Sequence, residues 1–199
     1  MDESGNPTGK TVSREEAHAE GILHRTAHVW IVREADGRDE ILLQKRSEEK
    51  DSFPGMYDTS SAGHIAAGEE PLPSALRELK EELGIEASPR QLRFAGTFRI
   101  RFEERFHGRM FRDNEVTWVY VYREPVDAER LTLQASEVSG VRWFDAEEVR
   151  AEILRGDRRR FCVPSGGLKV LRDYLERTRQ PEQIEKPGYS IPDDNGGTA

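Results

Sequence analysis

Apolar residues recur along this chain in two periods. Ala27 to Val32 is rich in β-branched and aromatic residues, and Ile41 to Lys45 repeats that character beyond Ala35-Asp36-Gly37, predicting a strand, a turn and its hairpin partner. Leu92 to Ile100 and Glu115 to Tyr122 predict two further strands, and Val141 to Phe144 a short one. The other period is helical. Leu72, Leu76, Leu79 and Leu83 share one stripe, which predicts a helix over Pro71 to Leu83, with Pro71 and Pro73 tolerated in its first turn and Gly84 ending it. Ser13 with Glu16 makes a capping box for a brief helix through Ala19, Asp145 caps a helix over Ala146 to Leu154, and Leu168, Leu171 and Leu175 place a last helix over Ser165 to Glu176.

Strands with helices fore and aft predict an α/β fold in which a sheet is sandwiched between helices. We read 1–25 as a leader packing on the main domain, 26–179 as that domain, and 180–199, rich in proline, glycine and acid without periodicity, as a flexible tail. A length of 199 residues suits one domain, and no internal repeat is present. The formal net charge of −8 speaks against an electrostatic grip on nucleic acid. The single cysteine, Cys162, excludes an internal disulfide and is expected as a small core residue. No apolar run is long enough for a membrane span or a secretion signal, so the simplest expected location is the cytoplasm. The leading and trailing segments are the parts that a homodimer would exchange.

The helix over Pro71 to Leu83 carries the chemistry. Opposite its leucines it gathers Glu78, Glu81 and Glu82 within about one turn. Like charges so close repel, and ion pairs on an exposed helix offset only about 0.2–0.5 kcal/mol each. A hard divalent cation relieves the repulsion, because Mg²⁺ takes a few carboxylates, substrate phosphate oxygens and water. A solvated helix face would explain the carboxylates alone, but not the glycines that flank them, nor Glu69 and Arg77.

The spacing from Gly63 to Ile85 resembles the Nudix box at every defined position: Gly63, five residues, Glu69, seven residues, Arg77-Glu78-Leu79, one residue, Glu81-Glu82, one residue, Gly84-Ile85. The resemblance implies an α/β/α sandwich around a mixed sheet, with 26–179 as a Nudix hydrolase domain. It also implies that Glu78, Glu81 and Glu82 hold Mg²⁺, with Mn²⁺ as the alternative, at the diphosphate of a small-molecule substrate. Glu69 and Arg77 are expected to brace the loop against the helix, and Gly63 and Gly84 to serve as turn residues. For a base completing the set Glu81, Glu82 and one carboxylate outside the helix, the candidates are Glu103, Glu104, Glu115 and Glu137. Glu115, opening a strand in Asp113-Asn114-Glu115-Val116, comes first; an ordinary strand-edge acid is the equal alternative.

A second resemblance runs through His24-Arg25, Leu42 to Ser47, Phe53-Pro54-Gly55, Gly63-His64 and Asp113 to Val116, which together look like the isopentenyl-diphosphate isomerases, a branch of the same superfamily. That branch binds a metal through histidines and acids, and His24, His64 and Glu115 occupy matching places; His18 falls near another, with inexact spacing. Taken singly, His64 reads as a backbone-bonded loop residue and His24 as a strand-entry cap. The branch carries a catalytic cysteine where this chain has Ala62, and alanine donates no proton. Hydrolysis of a nucleoside diphosphate derivative or another organic diphosphate therefore ranks above prenyl-diphosphate isomerisation, and both rank above a nucleotide-sensing module, which a broken box would mark. Arg46, His64 and Arg101 are assigned to substrate binding. Arg101 to Asp113, with Phe102, Phe106, Phe111, Arg105 and Arg109, reads as a substrate loop, or as a solvated loop or dimer contact.

Overall fold

The computed structural model describes residues 1–2, 6, 8–156 and 159–179, so the tail expected over 180–199 lies outside the described residues. Its elements run α1 (Arg14–Glu20), β1 (His24–Ala35), β2 (Arg38–Arg46), β3 (Tyr57–Asp58), β4 (Ser61–His64), α2 (Pro71–Leu83), β5 (Leu92–Phe106), β6 (Arg109–Tyr122), β7 (Val138–Asp145), α3 (Ala146–Leu154) and α4 (Ser165–Arg179). The strands form a seven-stranded mixed sheet ordered β3-β2-β1-β6-β5, with β4 pairing β1 and β7 pairing β2. Helices cover both faces. Trp30, Leu43, Val119, Leu168 and Leu171 fill the core beneath α3 and α4, while Val29, Ile31, Leu42, Leu79 and Leu83 fill the other beneath α2. The sandwich expected from the pattern is the fold observed.

Strand β1 is its axis. Thr26 to Val32 is buried without interruption, because the strand is covered on both faces. On one side it runs parallel to β6, from His24 opposite Glu115 to Ile31 opposite Tyr122. On the other it pairs antiparallel first with β4 and then with β2. This fork brings the start of the box, on β4, across β1 from the middle of β6, close to Glu115.

Two expectations change. Arg101 to Asp113 is no loop: β5 and β6 pair without a break from Ile100 opposite Glu115 to Phe106 opposite Arg109. The turn is only His107 and Gly108, at φ 49 and 79, the left-handed pair that closes a tight hairpin. Charged residues fall on both faces of this stretch, which masks a strand's period of two in the sequence. The acidic side of α2 is also graded: the side chain of Glu81 is 52% exposed and that of Glu78 15%, while Glu82 is buried beside Leu79 and Leu83.

Gly84 ends α2 in the left-handed region at φ 71, its N–H donating to the carbonyls of Leu79 and Lys80. A Cβ there would lie 2.9 Å from Thr132 Cβ and 3.1 Å from its carbonyl oxygen. Gly84→Ala is accordingly expected to destabilise the fold by about 1–2 kcal/mol or more, read as a lower urea midpoint.

Candidate active site

The box loop and helix are pinned by one guanidinium. Arg77 Nη1 donates to Glu78 Oε1 at 2.8 Å and Glu81 Oε2 at 3.1 Å, while Nη2 donates to the His64 carbonyl at 3.3 Å and lies 3.6 Å from Glu69 Oε2. Glu69 also accepts from Ser74 Oγ at 2.9 Å. Gly63 is required for a separate reason: a Cβ on it would stand 2.0 Å from Glu78 Cδ, so the carboxylate lies directly against the strand backbone. Glu82 Oε2 accepts from the Ala62 N–H at 3.1 Å and from Gln44 Nε2 at 3.4 Å. Burial pushes the Glu82 carboxyl up to about 7, with the neighbouring Glu78 adding to it and the Ala62 N–H opposing it. Glu78 is raised for the same first reason, against the pull of Arg77.

A second cluster stands at the mouth of β1. The parallel register puts His24 beside Glu115, their Nε2 and Oε1 atoms 3.4 Å apart. Thr26 Oγ1 donates to Glu115 Oε2 at 2.9 Å. From α1 comes His18, whose Nε2 lies 3.1 Å from His64 Nε2 and whose Nδ1 lies 3.8 Å from Asp113 Oδ1. The ligand atoms of His18, His24 and His64 lie within 4.8 Å of one another, as do those of His24, Asp113 and Glu115. Glu78, Glu81 and Glu82 do not form such a group among the described residues.

Electrostatics divide the cluster. Burial, and then the charge of His24, pull His18 down to about 4; burial also pulls His64 to about 3, so both imidazoles are neutral at pH 7. Burial would lower His24 too, but the pull of the nearby Glu115 carboxylate and the hydrogen bond to the Ile22 carbonyl outweigh it and raise it. For Glu115 burial is overcome by His24, which holds the carboxyl down at about 2, whereas burial and Glu115 together raise Asp113 to about 8.

Both groups face one cavity of about 420 Å³. It is lined by seven carboxylate side chains against four of Arg or Lys, an acidic excess that suits cations. A larger cavity, of about 610 Å³, lies between α3, α4 and the β1–β2 turn and shares none of these residues. Arg46 reaches the site cavity, but its donors go to Asp58, the Ser52 carbonyl and Ser52 Oγ at 3.0–3.1 Å, which anchor the 47–56 loop. Arg101, Glu103 and Glu104 lie exposed on β5 and do not line it; Glu137 does, paired with Lys50. Cys162 lines the cavity instead of filling a core, its thiol donating to the Tyr57 carbonyl at 3.5 Å and held protonated by burial and Asp58. Arg14, His28, Lys50 and Asp113 reach the cavity and carry no role in the pattern reading. For Asp113 the signal was present, one strand period from Glu115.

The family model described as the NUDIX domain matches residues 22–162 of this chain. The chain belongs to the Nudix hydrolase family. It is 42% identical over 159 residues to Nudix hydrolase 3 of Arabidopsis thaliana, covering 79% of this chain and 20% of that protein. To an uncharacterized Nudix hydrolase of Clostridium acetobutylicum it is 39% identical over 137 residues, covering 69% and 64%. It therefore spans a fifth and somewhat under two thirds of these two relatives. In fold it is similar to the NUDIX domain of Shewanella oneidensis NrtR, a structure complexed with ADP ribose, with a TM-score of 0.53, 18% identity and coverage of 84% and 99%. Among the described residues no helix of this Nudix chain is long and apolar enough to cross a membrane.

Proposed function

We propose that the protein hydrolyses the diphosphate bond of a nucleoside diphosphate derivative or another organic diphosphate, with Mg²⁺ or Mn²⁺ held by Glu78, Glu81 and Glu82. The observation that carries this reading is Glu82, buried against the Ala62 N–H beside Glu78 in an intact box. The residues fit the ion: Mg²⁺ keeps several waters and completes its shell with phosphate oxygens, so carboxylates spread over one helix turn suffice. When bound, the cation supplies charge neutralisation and Lewis acidity at phosphorus.

The chain's own groups do the rest. Arg77 fixes Glu78 and Glu81 in place and holds the box loop through the His64 carbonyl. Glu82, buried and held by the Ala62 N–H beside Glu78, is the carboxylate assigned to take the proton of the attacking water. Glu115 stays ionised, tied to His24 and Thr26, which makes it an anchor of the second cluster and not the base. That cluster fits a further divalent cation: His18 Nδ1, His24 Nε2 and Asp113 Oδ1 are buried without hydrogen-bond partners, and the Ile22 carbonyl accepting from His24 Nδ1 at 2.8 Å leaves Nε2 as its ligating atom. His24→Ala is expected to remove one Mn²⁺ site in a calorimetric titration and to lower hydrolysis about 10–100-fold; an unchanged Mn²⁺ stoichiometry would remove the second site.

ADP-ribose, dinucleoside polyphosphates, nucleoside triphosphates and prenyl diphosphates, each incubated with Mg²⁺ and followed by phosphate or monophosphate release, test the reading. Release that EDTA abolishes supports it. Tight binding without release from any of them would point to a sensing module instead. For isomerisation nothing stands at Ala62 to protonate a double bond, and the Cys162 thiol is engaged by the Tyr57 carbonyl.

A further inference from the structure

Alternate side chains on β1 face the same way, so Thr26 and His28 share one face. Thr26 holds Glu115, in the histidine-acid cluster. His28 is the direct cross-strand partner of Ala62, whose N–H holds Glu82. His28 thus stands on the cavity wall between the two clusters, and neither group of converging ligand atoms includes it. Opposed residues in an antiparallel pair bring their Cβ atoms within about 4.5–5.5 Å, and Ala62 sets only a methyl beside the imidazole.

The ring is 6% exposed, lies edge-on to Phe98 with centroids 5.8 Å apart, and has a buried Nδ1 with no hydrogen-bond partner. Burial disfavours its charged form. In the neutral ring one nitrogen carries the proton, and a buried N–H without an acceptor is rarer than a bare lone pair. The proton therefore sits on Nε2, the nitrogen left to meet the cavity.

We infer that His28 is a substrate-binding residue, its Nε2–H donating to a non-bridging oxygen of a diphosphate that spans the two clusters. The inference rests on the diphosphate reading above. A neutral donor suits this place, since a cationic side chain would repel cations at either end and a carboxylate would repel the substrate. It also gives a ring packed against Phe98 a polar contact in a cavity otherwise crowded with charge.

Calorimetric binding of methylenediphosphonate, a non-hydrolysable diphosphate, in saturating Mg²⁺ tests it. H28F keeps the ring and its contact with Phe98 but has no donor, and is expected to raise the Kd about tenfold or more. H28Q carries an amide N–H close to the position of Nε2 and is expected to stay within about threefold of wild type. If H28F does not fold, H28N, whose shorter amide reaches only the Nδ1 position, takes its place in the same comparison. An unchanged Kd in the donor-free variant, or a folded H28Q as weak as that variant, overturns the role of His28 alone. A wild-type protein that binds no methylenediphosphonate overturns the diphosphate reading and this inference with it.

Discussion

Glu82→Gln is expected to cut turnover about a thousandfold while making the cation-free protein more stable above neutral pH. The first effect follows from removing the proposed base and one oxygen ligand at a site where the fold is otherwise kept. The second follows from burial. Glu82 is 5% exposed and its carboxyl sits at about 7, so the folded chain holds a proton that the unfolded chain releases near 4.5. Stability from this group is therefore present below about 4.5 and is lost as pH rises to about 7, a cost of order 3 kcal/mol at pH 8. In EDTA, the unfolding free energy of Glu82→Gln minus that of wild type should rise across that window and level off above it. Denaturation series at pH 5 and pH 8 measure it. A variant less stable than wild type at pH 8, or one that keeps full turnover, would remove Glu82 from its assigned place.

Gly63→Ala should separate activity from folding more sharply. The added methyl would lie 2.0–2.3 Å from Cδ, Oε1 and Cγ of Glu78. Those atoms belong to a side chain that can swing away, so the backbone has no need to shift and the change in stability should stay within about 1 kcal/mol. Glu78, however, must leave its place beside Arg77, and a ligand displaced by about 1 Å or more costs about a hundredfold in kcat/KM. Thermal melts and kcat/KM measured on one preparation decide it. Unchanged kcat/KM would mean that Glu78 acts from some other position.

These two residues also mark how far the sequence could be read. The box motif named Gly63, Glu78 and Glu82 because the spacing of a strand-loop-helix is local, and local spacing survives in one dimension. It could not distinguish the three carboxylates, whose burial depends on β4 and Gln44 packing against α2. The hairpin from Leu92 to Tyr122 was read as two strands and a loop, because charged residues on both faces of its outer half hide a period of two; the turn signal, Gly108, was there. Arg101 was assigned to the substrate as a loop residue, and on a strand it points to solvent. The partnership of His18 and Asp113 with His24, His64 and Glu115 rests on register between β1 and β6 and on the docking of α1, and nothing in the sequence reports either directly.

The same register has a bearing on how the protein is made. Thr26 and Glu115, bonded in the finished fold, are 89 residues apart in the chain, and parallel pairing of β1 with β6 closes that long loop before it gains any contact. During synthesis His18, His24 and His64 leave the ribosome well ahead of Asp113 and Glu115. A nascent chain that stops short of β6 has the histidines but lacks the acids of the second cluster. The cation proposed for that cluster would meet its full set of ligands only once β6 has joined β1, so its capture would report closure of that parallel pair.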